Sequence, residues 1–244
     1  MDSGFYAACA GLRSQSQALE VAAHNLSNVN TPGFRAERTT FQSLLAMAHP
    51  ALTNALNVVT NTYGVLEGTH LDLNEGNLTS TGNPLDVAIE GNGFFAVQTS
   101  RGTRYTRNGS FQVSSAGELV TATGDPVLGD TGVIRVPAGA VAISPDGTLS
   151  VNGTVAGQIR VVDFPAGTNL VPEGATLLSA PAAAEQPALK ASLRQGTLES
   201  SNVNAIGSVV GLIAIERETE MLGRALSLFD TEFNQIAASQ LAKV

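Results

Sequence analysis

Both ends of this 244-residue chain carry apolar side chains at a seven-residue repeat, and proline is missing from both stretches. Within residues 4–29, Phe5, Leu12, Leu19 and Leu26 occupy one heptad position, with Ala8, Ala22 and Val29 three places later. Only Gln15 interrupts the second row. Such a repeat draws one apolar seam along an α-helix and calls for a partner helix to cover it. The spacing predicts a helix of ~25 residues, about 38 Å long. Asn28 and Asn30 tolerate the left-handed turn that ends it, and Thr31-Pro32-Gly33 blocks its continuation. The chain repeats this design from about residue 205. Leu212, Leu226 and Phe233 hold one seam position there, and Ile215, Leu222, Phe229 and Ile236 the other. Glu220 and Arg224 stand one turn apart and support the outer face. A helix of ~35 residues, more than ~50 Å long, is expected. Ser201 or Asn204 would cap it.

Between the helices the texture changes. Turn signals crowd residues 85–178: Gly91-Asn92-Gly93, Arg101-Gly102, Asn108-Gly109, Ala116-Gly117, Gly124-Asp125, Asp146-Gly147, Asn152-Gly153 and Pro172-Glu173-Gly174. Short apolar runs at 86–90, 94–99, 111–114, 133–136 and 158–163 separate them. That spacing predicts an all-β domain of short strands. The flanks are mixed, extended or irregular, with a short helix expected at 41–47. The fold class is therefore α+β: terminal helices forming a coiled coil, an inserted all-β domain and an irregular intermediate region. The division expected is 1–33 for the first helix, 34–80 for an intermediate region, 81–187 for the β-domain, 188–204 for the return and 205–244 for the last helix. Ser-Asn-Val-Asn stands both where the first helix ends, at 27–30, and where the last begins, at 201–204. Antiparallel pairing would bring those points together.

Composition narrows the function. Charged residues make up 14% of the chain, and 13 basic residues against 21 acidic leave a net charge of −8. Nucleic-acid binding needs a basic stripe, and a polybasic membrane anchor needs clustered lysines, so neither is expected. The lone Cys9 removes disulfides and cysteine-based zinc sites. No cleavable secretory signal is expected at Met1-Asp2-Ser3-Gly4. The uncharged apolar run at 203–215 holds 13 residues, short of the ~20 a spanning helix needs. His24, His49 and His70 are isolated, and Asp125, Asp130 and Asp146 sit beside glycines as turn residues. Gly91-Asn92-Gly93-Phe94-Phe95-Ala96 formally fits a dinucleotide fingerprint, but the following run reads as a strand rather than the helix such a site requires. Arg101, Arg104 and Arg107 read as a solvated basic group on a hairpin. No catalytic residue, cofactor, metal or small-molecule substrate is expected, and an enzyme is not.

Three segments resemble one family, the bacterial flagellar rod and hook proteins. Ala22-Ala23-His24-Asn25-Leu26-Ser27-Asn28-Val29-Asn30-Thr31-Pro32-Gly33-Phe34 is similar to its N-terminal signature. Leu85-Asp86-Val87-Ala88-Ile89-Glu90-Gly91-Asn92-Gly93-Phe94-Phe95, followed by Tyr105-Thr106-Arg107-Asn108-Gly109-Ser110-Phe111, is similar to the central one. Gly196-Thr197-Leu198-Glu199-Ser200-Ser201-Asn202-Val203-Asn204 is similar to the C-terminal one. His24 departs from the family's usual asparagine, and Arg217-Glu218-Thr219-Glu220 lacks its frequent aromatic–Glu pair. The Met1-Asp2 start, the turn at 146–148 and the run at 158–162 look most like proximal-rod subunits; distal-rod or hook subunits are the alternative. From another class, an extracellular β-rich adhesin with a coiled-coil stalk is the rival, and it would need a secretion signal.

The resemblance implies a structural subunit of the basal-body rod. It implies export through the flagellar type III apparatus without cleavage, and polymerisation with further copies and other rod subunits into a hollow drive shaft. It implies no membrane insertion. Asn25, Asn28, Asn30, Pro32, Gly33 and Phe34 form the signature turn. Phe41 and Leu45, in Phe41-Gln42-Ser43-Leu44-Leu45, fit the family's export-gate pattern. The back of the first helix, with Ser14, Gln17, Ala18 and Asn25, is small and neutral, as suits a helix surrounded by neighbouring subunits.

Overall fold

The structure, a computed structural model, describes residues 2–42 and 65–241. Two helices frame it, α1 at Asp2–Ser27 and α2 at Ala205–Leu241. Asn204 is the cap of α2, its Oδ1 accepting from Gly207 N at 2.8 Å. The chain forms two compact units. A helical unit joins Met1–Ser27, Glu37–Leu71 and Asn204–Val244. A β-unit joins Asn28–Ala36 and Asp72–Val203.

In the helical unit α1 packs along α2. Gln15 Nε2 donates to Glu218 Oε2 at 2.9 Å. The strand Glu37–Gln42 pairs antiparallel with Val65–Leu71 through a bulge at Thr40/Phe41. Phe41 therefore lies in a strand, not at the head of the helix expected over 41–47; residues 43–47, with Leu45, fall outside the described residues.

The buried line of α1 also differs from the expected seam. Ser14 and Ala18 are 3% and 4% exposed, and Gly11 is buried with them, while Leu12, Leu19 and Leu26 are half-buried. Ser14 and Ala18 are thus not on an outer face. Small side chains let neighbouring backbone come close, so the contact line runs one residue ahead of the leucines. On α2 the described seam residues Leu212, Ile215, Leu222 and Leu226 are half-buried. The side chains of Phe5, Phe229, Phe233 and Ile236 lie outside the described set.

The β-unit is antiparallel in every described pairing. Its six-stranded sheet runs Val171–Glu173, Leu177–Ser179, Gly102–Thr106, Phe94–Thr99, Val161–Asp163, Gln186–Pro187. A three-stranded sheet holds Val141–Ile143, Thr148–Val151 and Thr154–Gln158. One cluster, including Ile89, Phe95, Phe111, Leu119, Val127 and Leu149, fills the core. The Phe95 and Phe111 rings meet edge to face at 5.0 Å. Gly109 is required here, because a Cβ would sit 1.7 Å from Val87 O. Gly91-Asn92-Gly93 joins strand Val87–Glu90 to strand Phe94–Thr99, so no helix follows it.

The run at 158–163 is not one strand. Thr154–Gln158 ends and Val161–Asp163 begins because the chain crosses between sheets there, with Arg160 N bonding Leu128 O at 3.1 Å. Boundaries drawn from sequence texture also differ from those of the two units. Residues 28–36, 72–80 and 188–203 belong with the β-unit, and 37–71 with the helices. Long-range pairing explains it: Leu78–Ser80 pairs with Thr197–Glu199, and Val87–Glu90 with Ser192–Gln195.

Candidate functional site

The signature turn is built from side-chain and backbone hydrogen bonds to main-chain groups. In the helical unit Asn25 holds the strand that follows it: its Nδ2 donates to Glu37 O at 2.7 Å, and its Oδ1 accepts from Glu37 N at 2.9 Å. His24 Nδ1 lies 3.3 Å from Glu37 Oε1. In the β-unit Thr31 N donates to Asn28 O at 3.1 Å. Gly33 has φ +69°, and a Cβ there would lie 2.3 Å from Asn108 N, so only glycine fits. Phe34 is 1% exposed. Asn30 is exposed, and Asn28 and Pro32 are half-buried.

Beside this turn Arg35, which follows the first signature segment, joins the central and C-terminal segments in buried ionic contacts. Glu199 is 1% exposed, and its carboxylate lies 2.6 Å from Arg35 Nη2 and 3.2 Å from Arg107 Nη1. Gly76 N donates to Glu199 Oε1 at 2.8 Å, and Gly33 N donates to Glu199 O at 2.8 Å. Arg107 also donates to Ile89 O at 3.2 Å and Gly91 O at 2.7 Å, and stands 5.4 Å above the Phe94 ring. Burial pulls the Arg107 guanidinium below its ordinary value; Glu199 opposes that and Arg35 reinforces it. Asn202 completes the joint. Its Oδ1 accepts from Ala36 N at 2.7 Å, and its Nδ2 donates to Asp72 O at 2.8 Å and Asn74 O at 3.0 Å.

Arg107 thus corrects the reading of a solvated arginine group, because it is 3% exposed. Arg101 and Arg104 instead both reach Glu173, at 3.2 and 3.0 Å. Sequence reasoning left Arg35 and Glu199 without a role. The available signal was Thr197-Leu198-Glu199, where strand alternation turns a glutamate inward beside a half-exposed leucine.

A second buried polar group sits at Tyr105, 1% exposed, whose hydroxyl donates to Glu185 at 3.1 Å. Glu185 is also paired with Arg160. Burial, then the Glu185 charge, pushes the Tyr105 hydroxyl up to about 12. Among the described residues no group of His, Cys, Asp or Glu is placed to hold a metal, and no helix is long and apolar enough to cross a membrane.

The surface of α2 adds what the seam reading missed. Ile206, Val210 and Ile213 are 80, 63 and 44% exposed, and Met221 and Leu228 are 63 and 65% exposed. Ile206, Val210 and Ile213 draw a short apolar stripe separate from the half-buried seam, and the exposed Arg217 and Arg224 on the same face set Met221 and Leu228 apart from it.

Three family models match the chain. They are the flagella basal body rod protein at residues 5–35, the flagellar hook protein FlgE/F/G D1 domain at 88–151, and the flagellar basal body rod FlgEFG protein C-terminal at 194–236. The flagellar basal-body rod protein FlgF of Escherichia coli is 35% identical, over 94% of this chain and 95% of its own. FlgF of Caulobacter vibrioides is 32% identical over 100% of both. The flagellar basal-body rod protein FlgG of Borreliella burgdorferi is 33% identical over 94% of this chain and 96% of its own.

Three outcomes are expected. Glu199→Gln leaves two buried guanidinium groups facing a neutral amide and should cost the β-unit about 3–5 kcal/mol, read from urea denaturation followed by circular dichroism. Glu90→Gln, at the exposed pair with Arg194, should stay within ~1 kcal/mol. For Tyr105, whose folded value is raised, the stabilisation is complete below pH ~10 and lost as pH climbs toward 12. Denaturation series from pH 9 to 12 should therefore fall more steeply for the wild type than for Tyr105→Phe.

Proposed function

We propose, for a chain that belongs to the flagellar basal-body rod protein family, that it acts through packing alone. It is a structural subunit of the flagellar basal body, of the proximal-rod type, and assembles with other rod subunits. Its terminal helices serve as a coiled coil whose exposed side is covered on assembly. The exposed stripe on α2 carries this reading. Ile206, Val210 and Ile213 stand in water in the single chain, and burying such side chains contributes ~25 cal/mol per Å² of apolar surface. Leu12 and Leu19 on α1, half-buried here, gain further cover in the same way. Drive-shaft duty asks for many contacts and no chemistry.

The β-unit, braced by Glu199, Arg35 and Arg107, would hold its shape while the helices find neighbours. Export through the flagellar type III apparatus, with Phe41 and Leu45 docking at its gate, belongs to the same proposal.

Val210→Glu places a charge in the stripe at an exposed position. It should abolish swimming and remove the chain from isolated basal bodies while leaving the urea midpoint of the purified protein unchanged; normal swimming would overturn the packing role. Phe41→Ala should lower the amount of chain secreted from an export-competent strain without changing its intracellular level, and undiminished secretion would remove Phe41 from the gate.

A further inference from the structure

The chain passes between its two units at four crossings: 27/28, 36/37, 71/72 and 203/204. The repeated Ser-Asn-Val-Asn stands at the first and the last of them. Two of its asparagines have local tasks. Asn28 accepts from Thr31 at both its backbone O and its Oδ1, and Asn204 caps α2. Asn202 reaches out of its own segment, to the residues at the other two crossings.

Ala36 is the last residue of the β-unit before one crossing, and Asp72 the first after the next. Glu37 pairs with Leu71, so Ala36 falls opposite Asp72. A hydrogen-bonded antiparallel pair exchanges two backbone bonds. Here one is made, Asp72 N donating to Ala36 O at 2.8 Å. Asn202 takes the place of the other. Ala36 N donates to its Oδ1 at 2.7 Å, and its Nδ2 donates to Asp72 O at 2.8 Å. The side-chain amide is thus inserted between the two strands as a substitute ladder bond.

The second hydrogen of Nδ2 goes to Asn74 O at 3.0 Å, and the Asn202 backbone N donates to Phe34 O at 3.4 Å. Both amide hydrogens and the amide oxygen are therefore engaged. Ala36 N can only donate and the two carbonyls can only accept, which fixes the amide's orientation. Aspartate would set a second acceptor against Asp72 O and Asn74 O, and alanine would leave all three groups unmet. Val203, the last residue of the β-unit before the fourth crossing, follows Asn202 directly. One side chain thereby ties together the β-unit ends of three crossings.

We propose that Asn202 is the coupling residue of the subunit. Chain ends held by few bonds open before a packed core does. By binding three ends into one block, Asn202 makes a twisting load that arrives along the chain fall on the β-unit as a whole, and the ends do not peel away one at a time. The inference rests on the rod-subunit reading, which supplies the load, and assigns a residue to its transmission.

The test uses the full chain. Purified wild type, Asn202→Asp and Asn202→Ala are compared by amide hydrogen exchange. In both variants exchange at Ala36 and Asp72 should quicken by about tenfold or more. The amides of Leu119 and Val127, bonded in the core to Ile134 O at 3.0 Å and Leu119 O at 2.8 Å, should keep their rates. Equal acceleration at all four would make Asn202 an ordinary stabilising residue and overturn the proposal; so would unchanged exchange at Ala36 and Asp72. In cells, each variant replaces the wild-type chain. It should be recovered from isolated basal bodies in the wild-type amount, with swimming kept in dilute medium and lost in viscous medium. Wild-type speed in viscous medium would overturn the coupling role and leave the rod reading intact. A variant missing from basal bodies would put Asn202 in assembly instead, which also overturns coupling. A wild-type chain missing from basal bodies would overturn the rod reading and the coupling role together.

Discussion

A single carboxylate holds together parts of the chain that lie far apart in sequence. Glu199 faces Arg35 and Arg107 inside the β-unit, and its own backbone oxygen accepts from Gly33. Two cations against one anion leave an excess positive charge away from water. Such a group is costly to desolvate, and its net effect on stability is small unless geometry and hydrogen bonds are good. Here Gly76 N serves the carboxylate and the carbonyls of Ile89 and Gly91 serve Arg107, while Arg35 meets Glu199 by charge alone, its buried guanidinium nitrogens making no hydrogen bond. What the cluster gives in return is register. Residues 33–35, 89–91, 107 and 199 reach these distances together or not at all. The β-unit is thereby closed by segments from both ends of the chain.

That dependence explains which features could be read from sequence. The helices were legible because a heptad repeat is local, and their presence needs no knowledge of what covers them. The strands at 94–99 and 111–113 were legible from alternation and flanking turns. The tightest contact line on α1 was not, because Gly11, Ser14 and Ala18 signal close approach only once a neighbour's position is known. Arg107 was misread for a related reason. It follows the strand Gly102–Thr106, and nothing in its neighbours reveals that a carboxylate 92 residues away comes to meet it. Asn25 stood out only through resemblance, and its two bonds to the Glu37 backbone supply the physical reason for its place in the turn.

The distribution of charge ties the interior to the exterior. A chain with 14% charged residues places Arg35, Asp86, Arg107 and Glu199 in its interior. Asp86 is satisfied by Thr81 Oγ1 at 2.6 Å and Asn83 Nδ2 at 2.9 Å. Those charges serve internal geometry and are lost to the surface, which is left more neutral than composition alone suggests. A neutral surface with an apolar stripe is a liability for a protein that stays dispersed. For a subunit that must be covered on several sides it is an asset, because each contact then avoids the desolvation of exposed ions. The remaining acidic excess repels copies at long range but is screened within about 10 Å at ordinary salt. Neutral surfaces and apolar stripes act only inside that distance. The balance therefore disfavours casual aggregation in dilute solution and favours association where copies are delivered one beside another.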